Sequence, residues 1–195
     1  VAFQAVDYIL RVLKKNMVFG MTWGRAMHEF VEQLAKDERL RSLSFQNVKV
    51  VPFLGTPGAI QSDSWNTTTY SNTLATKVGN LLHCASYNLS APMYVEGTKE
   101  KELIESIDEI AKVLHMAETA DIALIGIGSM QDDSSIIKAE IRTKEEYKEL
   151  VRKGAVGEIV GRIYDKNGQT VDEDLKRKMV GILTGKKNLN SLKGK

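Results

Sequence analysis

The sequence is most informative first in what it lacks. It holds a single cysteine, Cys84, so an intrachain disulfide is impossible and a reducing compartment is the simple reading. No apolar stretch approaches the roughly 20 residues that span a bilayer. Val1–Lys15 lacks the layout of a signal peptide: Asp7 interrupts the apolar positions and the lysines come last. The formal net charge of +2 is too small to argue for a nucleic-acid or membrane partner. His28, His83 and His115 have no metal-ligand spacing, and no metal or cofactor is expected. There is no internal repeat and no low-complexity linker. The chain opens on Val1 rather than methionine, so it is expected to be a fragment.

What is present alternates. Phe3–Lys14 carries Val6, Ile9, Leu10 and Leu13 at helical spacing, and a short apolar run follows at Met17–Phe19. Gly20-Met-Thr-Trp-Gly-Arg25 is a glycine-bearing loop, and Ala26–Leu34 resumes the helical period. Val48–Leu54 reads as a second strand, Ile60–Thr69 as a loop and Thr73–Leu82 as a helix; Ala85–Leu89 is a weak strand. The spacing predicts one long helix over Lys99–Met116, with Leu103, Ile107, Ile110 and Leu114 as its apolar stripe. Thr143 with Glu146 forms a capping-box pattern ahead of a helix that stops at Gly154. Val156–Tyr164 is β-like, Asp165–Gly168 is a turn with a return at Gln169–Val171, and Met179–Leu183 is a last strand. Ser134–Ile141 stays ambiguous. Strands alternating with helices imply an α/β fold with a mostly parallel sheet.

The stretch Ala120–Ser129 stands at the centre of this pattern. Ile122–Ile125 is apolar without a break, as in a strand buried on both faces, and it ends at Gly126, Gly128 and Ser129. Open α/β sheets bind ligands at the carboxyl ends of their strands, where glycine lets the backbone come close. This stretch is therefore expected to be the central strand and the floor of a binding crevice, with the Ser129 hydroxyl as a donor. It is not the dinucleotide fingerprint, because Gln131 stands where the third glycine belongs.

Gly20–Arg25 is not a P-loop, yet it suits an anion: it offers backbone amides at a helix start, the Thr22 hydroxyl and the Arg25 guanidinium. A plain surface loop with Trp23 as a packing anchor is equally open. Cys84 has no neighbour that lowers its pKa and reads as a small buried hydrophobe. Asp132-Asp133 is either a catalytic pair or two solvated loop charges. Lys186-Lys187 after Gly185 either meets a phosphate or belongs to a solvated tail. The sequons at Asn66 and Asn88 are common by chance.

Taken together and in order, several stretches resemble the sugar-binding, or effector-binding, domain of SorC-type bacterial transcription regulators. They are Gly20-Met-Thr-Trp-Gly24, Val50-Val-Pro-Phe-Leu-Gly55, Asn72-Thr-Leu-Ala75, Ser90-Ala-Pro92, Ala120–Ser129, and Gly154-Ala-Val-Gly-Glu-Ile-Val-Gly-Arg162 leading to Tyr164-Asp165 and Gly168. The resemblance implies a Rossmann-like sheet, similar to the fold of sugar-phosphate isomerases and CoA transferases. It implies a non-enzymatic sensor of a phosphorylated sugar or polyol, cytoplasmic and homodimeric or homotetrameric. DNA would be reached only through a helix-turn-helix outside these 195 residues, which would form one domain that also lacks some C-terminal residues.

Carried over residue by residue, the phosphate falls on Thr22, Trp23, Gly24 and Arg25. Gly126, Gly128 and Ser129 line the same pocket, Asp165 faces the sugar end, and Lys186 is the nearest match, at the wrong spacing, to a family lysine. Ala26 replaces a usual hydroxyl. Leu54 stands where members that bind a bisphosphate carry arginine, which argues for a single phosphate. The alternatives are a sugar-phosphate isomerase-like enzyme using Asp132, Asp133 or Asp165, and an interaction domain with a vestigial pocket.

Overall fold

The computed structural model describes residues 1–57 and 67–183. Lys186, Lys187, Asn66 and most of the expected loop at 60–69 fall outside that range. Helix α1 (Ala2–Val12) leads into strand β1 (Val18–Met21) and helix α2 (Arg25–Leu34). Strand β2 (Lys49–Pro52), helix α3 (Ser71–Leu81) and the short strand β3 (Ala85–Ser86) follow. Helices α4 (Thr98–Glu105) and α5 (Asp108–Glu118) then lead to strand β4 (Ile122–Leu124). These strands form one parallel sheet in the order β3-β2-β1-β4.

Helices cover both faces of this sheet, the arrangement that parallel strands require. Phe19, Met21 and Val50 face α1, α2 and α3 and meet Ile9, Phe30, Val31, Leu74 and Val78 in the main core. Phe30 sets its ring edge-on to Phe19, with centroids 6.4 Å apart. Val51 and Phe53 point to the other face, where Ala117 and Ala120 pack. Alternation with Phe19 and Met21 sets Gly20 on that second face, where the Phe53 ring occupies the space of a side chain. A Cβ there would sit 1.9 Å from Phe53 Cε1.

The run Ile122–Ile125 does not form the central strand. It supplies β4, at the end of the sheet, and its residues are only half-buried. The interior places belong to β1 and β2, where Phe19, Val50 and Val51 are fully buried. An unbroken apolar run records a tolerance for burial, whereas the order of strands is set by how the crossovers return.

The expected long helix is also corrected. It breaks at Ser106, whose hydroxyl donates back to the Leu103 carbonyl at 2.7 Å, and it restarts beyond Ile107 on the acidic first turn of Asp108 and Glu109. Leu103 and Ile107, read as part of the stripe, are exposed, while Ile110 and Leu114 are buried.

Beyond β4 the chain builds a second layer. Strand β5 (Ile127–Ser129) pairs antiparallel with β6 (Ala155–Ile159), and β6 pairs with β7 (Arg162–Asp165). Val156–Tyr164 is therefore two strands, because Val160 and Gly161, both at positive φ, make the tight turn of a hairpin. Helix α6 (Ser135–Lys138), capped by Ser134, resolves the ambiguous stretch.

Helix α7 (Lys144–Arg152) starts on the Thr143–Glu146 capping box as expected, and the chain leaves it at Gly154 with φ 99°. Gln169–Val171 returns beside β7, with Tyr164 bridged to Thr170. Helix α8 (Glu173–Lys178), capped by Asp172, has no counterpart in the sequence reading. Met179–Leu183 is extended but makes only single bridges, Met179 to Tyr94 and Gly181 to Leu54.

Gly20→Ala forces Phe53 off its seat in a fully packed layer. We expect a loss of about 1–3 kcal/mol or more in urea unfolding. Phe53→Ala combined with Gly20→Ala should cost less than the sum of the two single changes.

Candidate functional site

The carboxyl ends of β1 and β4 lie side by side, and Thr22 joins them. It is 1% exposed. Its amide donates to the Leu124 carbonyl at 3.3 Å, and its hydroxyl accepts from the Gly126 amide at 3.3 Å while facing the Leu124 oxygen at 3.5 Å. The Thr22 side chain thus fastens the start of the Gly126–Ser129 segment to the end of β1. Gly24, at φ 102°, turns the chain into α2 and donates its amide to the Thr69 carbonyl at 2.9 Å. Gly24, the N-cap of α2, has no side chain to cap it, so the amides of its first turn suit an anion.

A cavity of about 230 Å³ opens at this point. Its walls bring together Thr22, Trp23, Gly24 and Arg25 from one side and Gly126, Gly128 and Ser129 from the other, seven of the nine residues proposed from the sequence. Alternation along β5 sets Ser129 on the Ile127 side, away from Gly128.

The other two residues are not in this cavity. Asp165 lines a second cavity, of about 1130 Å³, with Arg162 and Tyr164; it shares Ile127, Gly128 and Ser129 with the first. Its carboxylate accepts from the Asn167 and Gln169 amides at 2.9 and 2.8 Å. Those bonds, the Gln169 amide first, hold it below the usual carboxylate range. The Asp165 side chain is thus the pin of its own turn, which the turn motif Asp165–Gly168 itself signals. Lys186 lies outside the described residues.

Arg25 is the one lysine or arginine among the described residues that line the crevice. It pairs with Asp133 at 2.5 Å, with both side chains about half exposed. The Arg25 hydrogen bond holds the Asp133 carboxyl below its ordinary range. Asp133 is therefore neither free nor paired with Asp132.

Glu158, which the sequence reading did not single out, completes the wall. It sits on β6 directly opposite Gly128 and is 8% exposed. Gly161 donates its amide to one carboxylate oxygen, Oε1, across the hairpin turn, and the Trp23 side chain donates a second hydrogen bond. A Cβ at Gly128 would lie 2.5 Å from the other oxygen, Oε2, so glycine is what lets the carboxylate rest against β5. Burial pushes the Glu158 carboxyl up to about 7, against the pull of those two hydrogen bonds. The available sign was an acid between Gly157 and Ile159, in a strand otherwise apolar or glycine.

Half-burial likewise pushes the Cys84 thiol up to about 11, in keeping with an unreactive cysteine. Among the described residues no group of three His, Cys, Asp or Glu could hold a metal, and no helix is long and apolar enough to cross a membrane.

The model of a sugar-binding domain family matches residues 1–188. The chain belongs to that family. It is 28% identical over 174 residues to the sorbitol operon regulator of Klebsiella pneumoniae, covering 88% of this chain and 52% of the regulator. It is 23% identical over 176 residues to the deoxyribonucleoside regulator of Bacillus subtilis, covering 90% and 52%.

The chain spans about half the length of the curated relatives it matches. In fold it resembles the full-length sorbitol operon regulator SorC of K. pneumoniae, with a TM-score of 0.77 at 24% identity over 93% of this chain and 56% of that one. The mostly parallel, Rossmann-like α/β sheet of this sugar-binding domain agrees with the expected fold class.

Glu158 also sets a pH dependence of stability. Its folded pKa lies above the unfolded value of 4.5, so the stability it contributes is full below that value and is lost as pH rises through about 7. The Glu158→Gln variant should therefore gain on the native protein between pH 5 and pH 8, by roughly 2–3 kcal/mol in urea unfolding. A constant difference across that range would remove the buried-acid reading.

Proposed function

We propose that the crevice binds a phosphorylated sugar or polyol and that this domain senses the ligand without converting it. One observation carries the reading. A guanidinium and the uncapped first turn of α2 share one small cavity with a buried carboxyl group. The first two are what a phosphate seeks, and the third is what sugar hydroxyls seek. Names of relatives, a sorbitol operon regulator and a deoxyribonucleoside regulator, support a small sugar-like effector.

A single phosphate is favoured. Leu54, at the position where an arginine would take a second one, is fully buried among apolar side chains. Of the carboxylates weighed as catalytic, Asp133 is held by Arg25 in the ligand-free crevice and Asp165 by its own turn. The names of relatives, which are regulators, favour sensing.

In this reading the phosphate competes with Asp133 for Arg25. Ligand binding then releases the Asp133 segment from α2 while joining the α2 start to the Gly126–Gly128 wall. Only a ligand with different affinity for two arrangements can shift their balance, and this exchange of partners supplies the difference. The shift would pass to a DNA-binding segment beyond this chain, in a cytoplasmic homodimer or homotetramer.

Titration calorimetry with a panel of pentose, hexose and hexitol monophosphates tests this. At least one should bind, and its unphosphorylated parent should not. Arg25→Ala should weaken the hit about 10- to 100-fold, the worth of hydrogen bonds to a charged group. Affinity unchanged in Arg25→Ala would move the phosphate elsewhere.

A further inference from the structure

The crevice has an electrostatic problem that its own residues pose. Its walls hold one described cation, Arg25, which already has Asp133 as a partner. They also hold Glu158, buried, with one oxygen engaged by Gly161, a further hydrogen bond from Trp23, and Oε2 in the space a Gly128 side chain would take. A dianion entering a cavity of about 230 Å³ beside an ionised Glu158 would meet a like charge at low dielectric.

We infer that Glu158 enters the anion complex as the neutral acid, so that binding in this crevice takes up one proton from solvent. The inference rests on the reading of the crevice as an anion site. Gly161 engages Oε1 and Trp23 donates a second hydrogen bond to the carboxylate; the added proton turns an acceptor that repels the ligand into an O–H donor. On release of the anion it returns to solvent. Ligand affinity and pH are thereby linked through one side chain.

The groups around Glu158 agree. Trp23 and Gly161 donate to it, and neither titrates. Tyr94, Tyr147 and Tyr164 lie within electrostatic range of it, Tyr164 from the far side of the sheet, and burial raises all three phenols above their ordinary range. Arg162 bears on Tyr94 and Tyr164, and Arg142 is paired with Asp172. Before the anion binds, Asp133 is held on Arg25, whose hydrogen bond keeps its carboxyl below the ordinary range. Among the described residues lining the crevice, Glu158 alone changes charge between pH 6 and pH 9, since burial places it near 7.

Inorganic sulfate is the probe, because its charge is constant across that range. Calorimetric titration of the native protein at pH 7.5 in two buffers of different ionisation heat should show uptake approaching one proton per sulfate bound. Between pH 7.5 and pH 8.5 the affinity should fall about tenfold per pH unit. Glu158→Gln should bind sulfate with little change from pH 6 to pH 9 and more tightly than the native protein at pH 8.5. Flat affinity in the native protein, no proton uptake, or the same slope in Glu158→Gln would overturn proton-linked binding and leave the anion site standing. Failure of both proteins to bind sulfate and hexose phosphates at pH 6 would overturn the anion site itself, and this inference with it.

Discussion

Parallel pairing of β1 with β4 sets Phe19 beside Ile122 and Met21 beside Leu124, so two strand ends about 100 residues apart in sequence share one rim. Everything at the crevice depends on that pairing. Thr22 can take the Gly126 amide only because Met21 and Leu124 end together. The Gly126 corner then turns β5 away from the parallel sheet, toward β6. At this rim the second sheet is joined to the first by one buried threonine and a glycine corner, while Trp23, Leu54 and Met93 pack against Val160 and Ile163 behind it. Its strand β6 carries Glu158 back over the start of α2.

The charges of the site follow from this junction. Arg25 projects from the first turn of α2 into partly open space, where Asp133 reaches it. Glu158 comes from the other layer and is sealed by Trp23, the hairpin turn and the Gly128 backbone. One cation near water and one carboxyl group out of water make a poor permanent ion pair and a good receptor for a ligand with both a charged end and a hydroxylated body. Val160, a β-branched residue at positive φ, is part of what this costs, since the turn it forms is what delivers the Gly161 amide to Glu158.

Much of this was legible along the chain. The strand-loop-helix at Gly20–Arg25, the capping box at Thr143 and the glycine-ended stretch at Ala120–Ser129 all rest on local chemistry, and local chemistry survives folding. Errors arose where a pattern had to be placed in space. The run Ile122–Ile125 looked central, but the strand it supplies lies at the sheet edge, because hydrophobicity does not encode strand order. Lys99–Met116 looked continuous because the helical period runs through Ser106, whose hydroxyl bonds back to the preceding turn. Asp165, expected at the sugar end of the crevice, lines the larger cavity that shares Ile127, Gly128 and Ser129 with it, because motif position carries no direction.

The sequence by itself determined the alternation of strands and helices, the loop with anion chemistry, the glycines that let a ligand approach, and the family. Each is a property of neighbours in the chain: period, caps, turn residues, side-chain type. The tertiary structure alone decided that Thr22 is a fastening, that Arg25 is shared with Asp133, and above all that Glu158 faces the same cavity. Those facts rest on pairings between distant segments, and the raised pKa of Glu158 rests on burial that no local window contains.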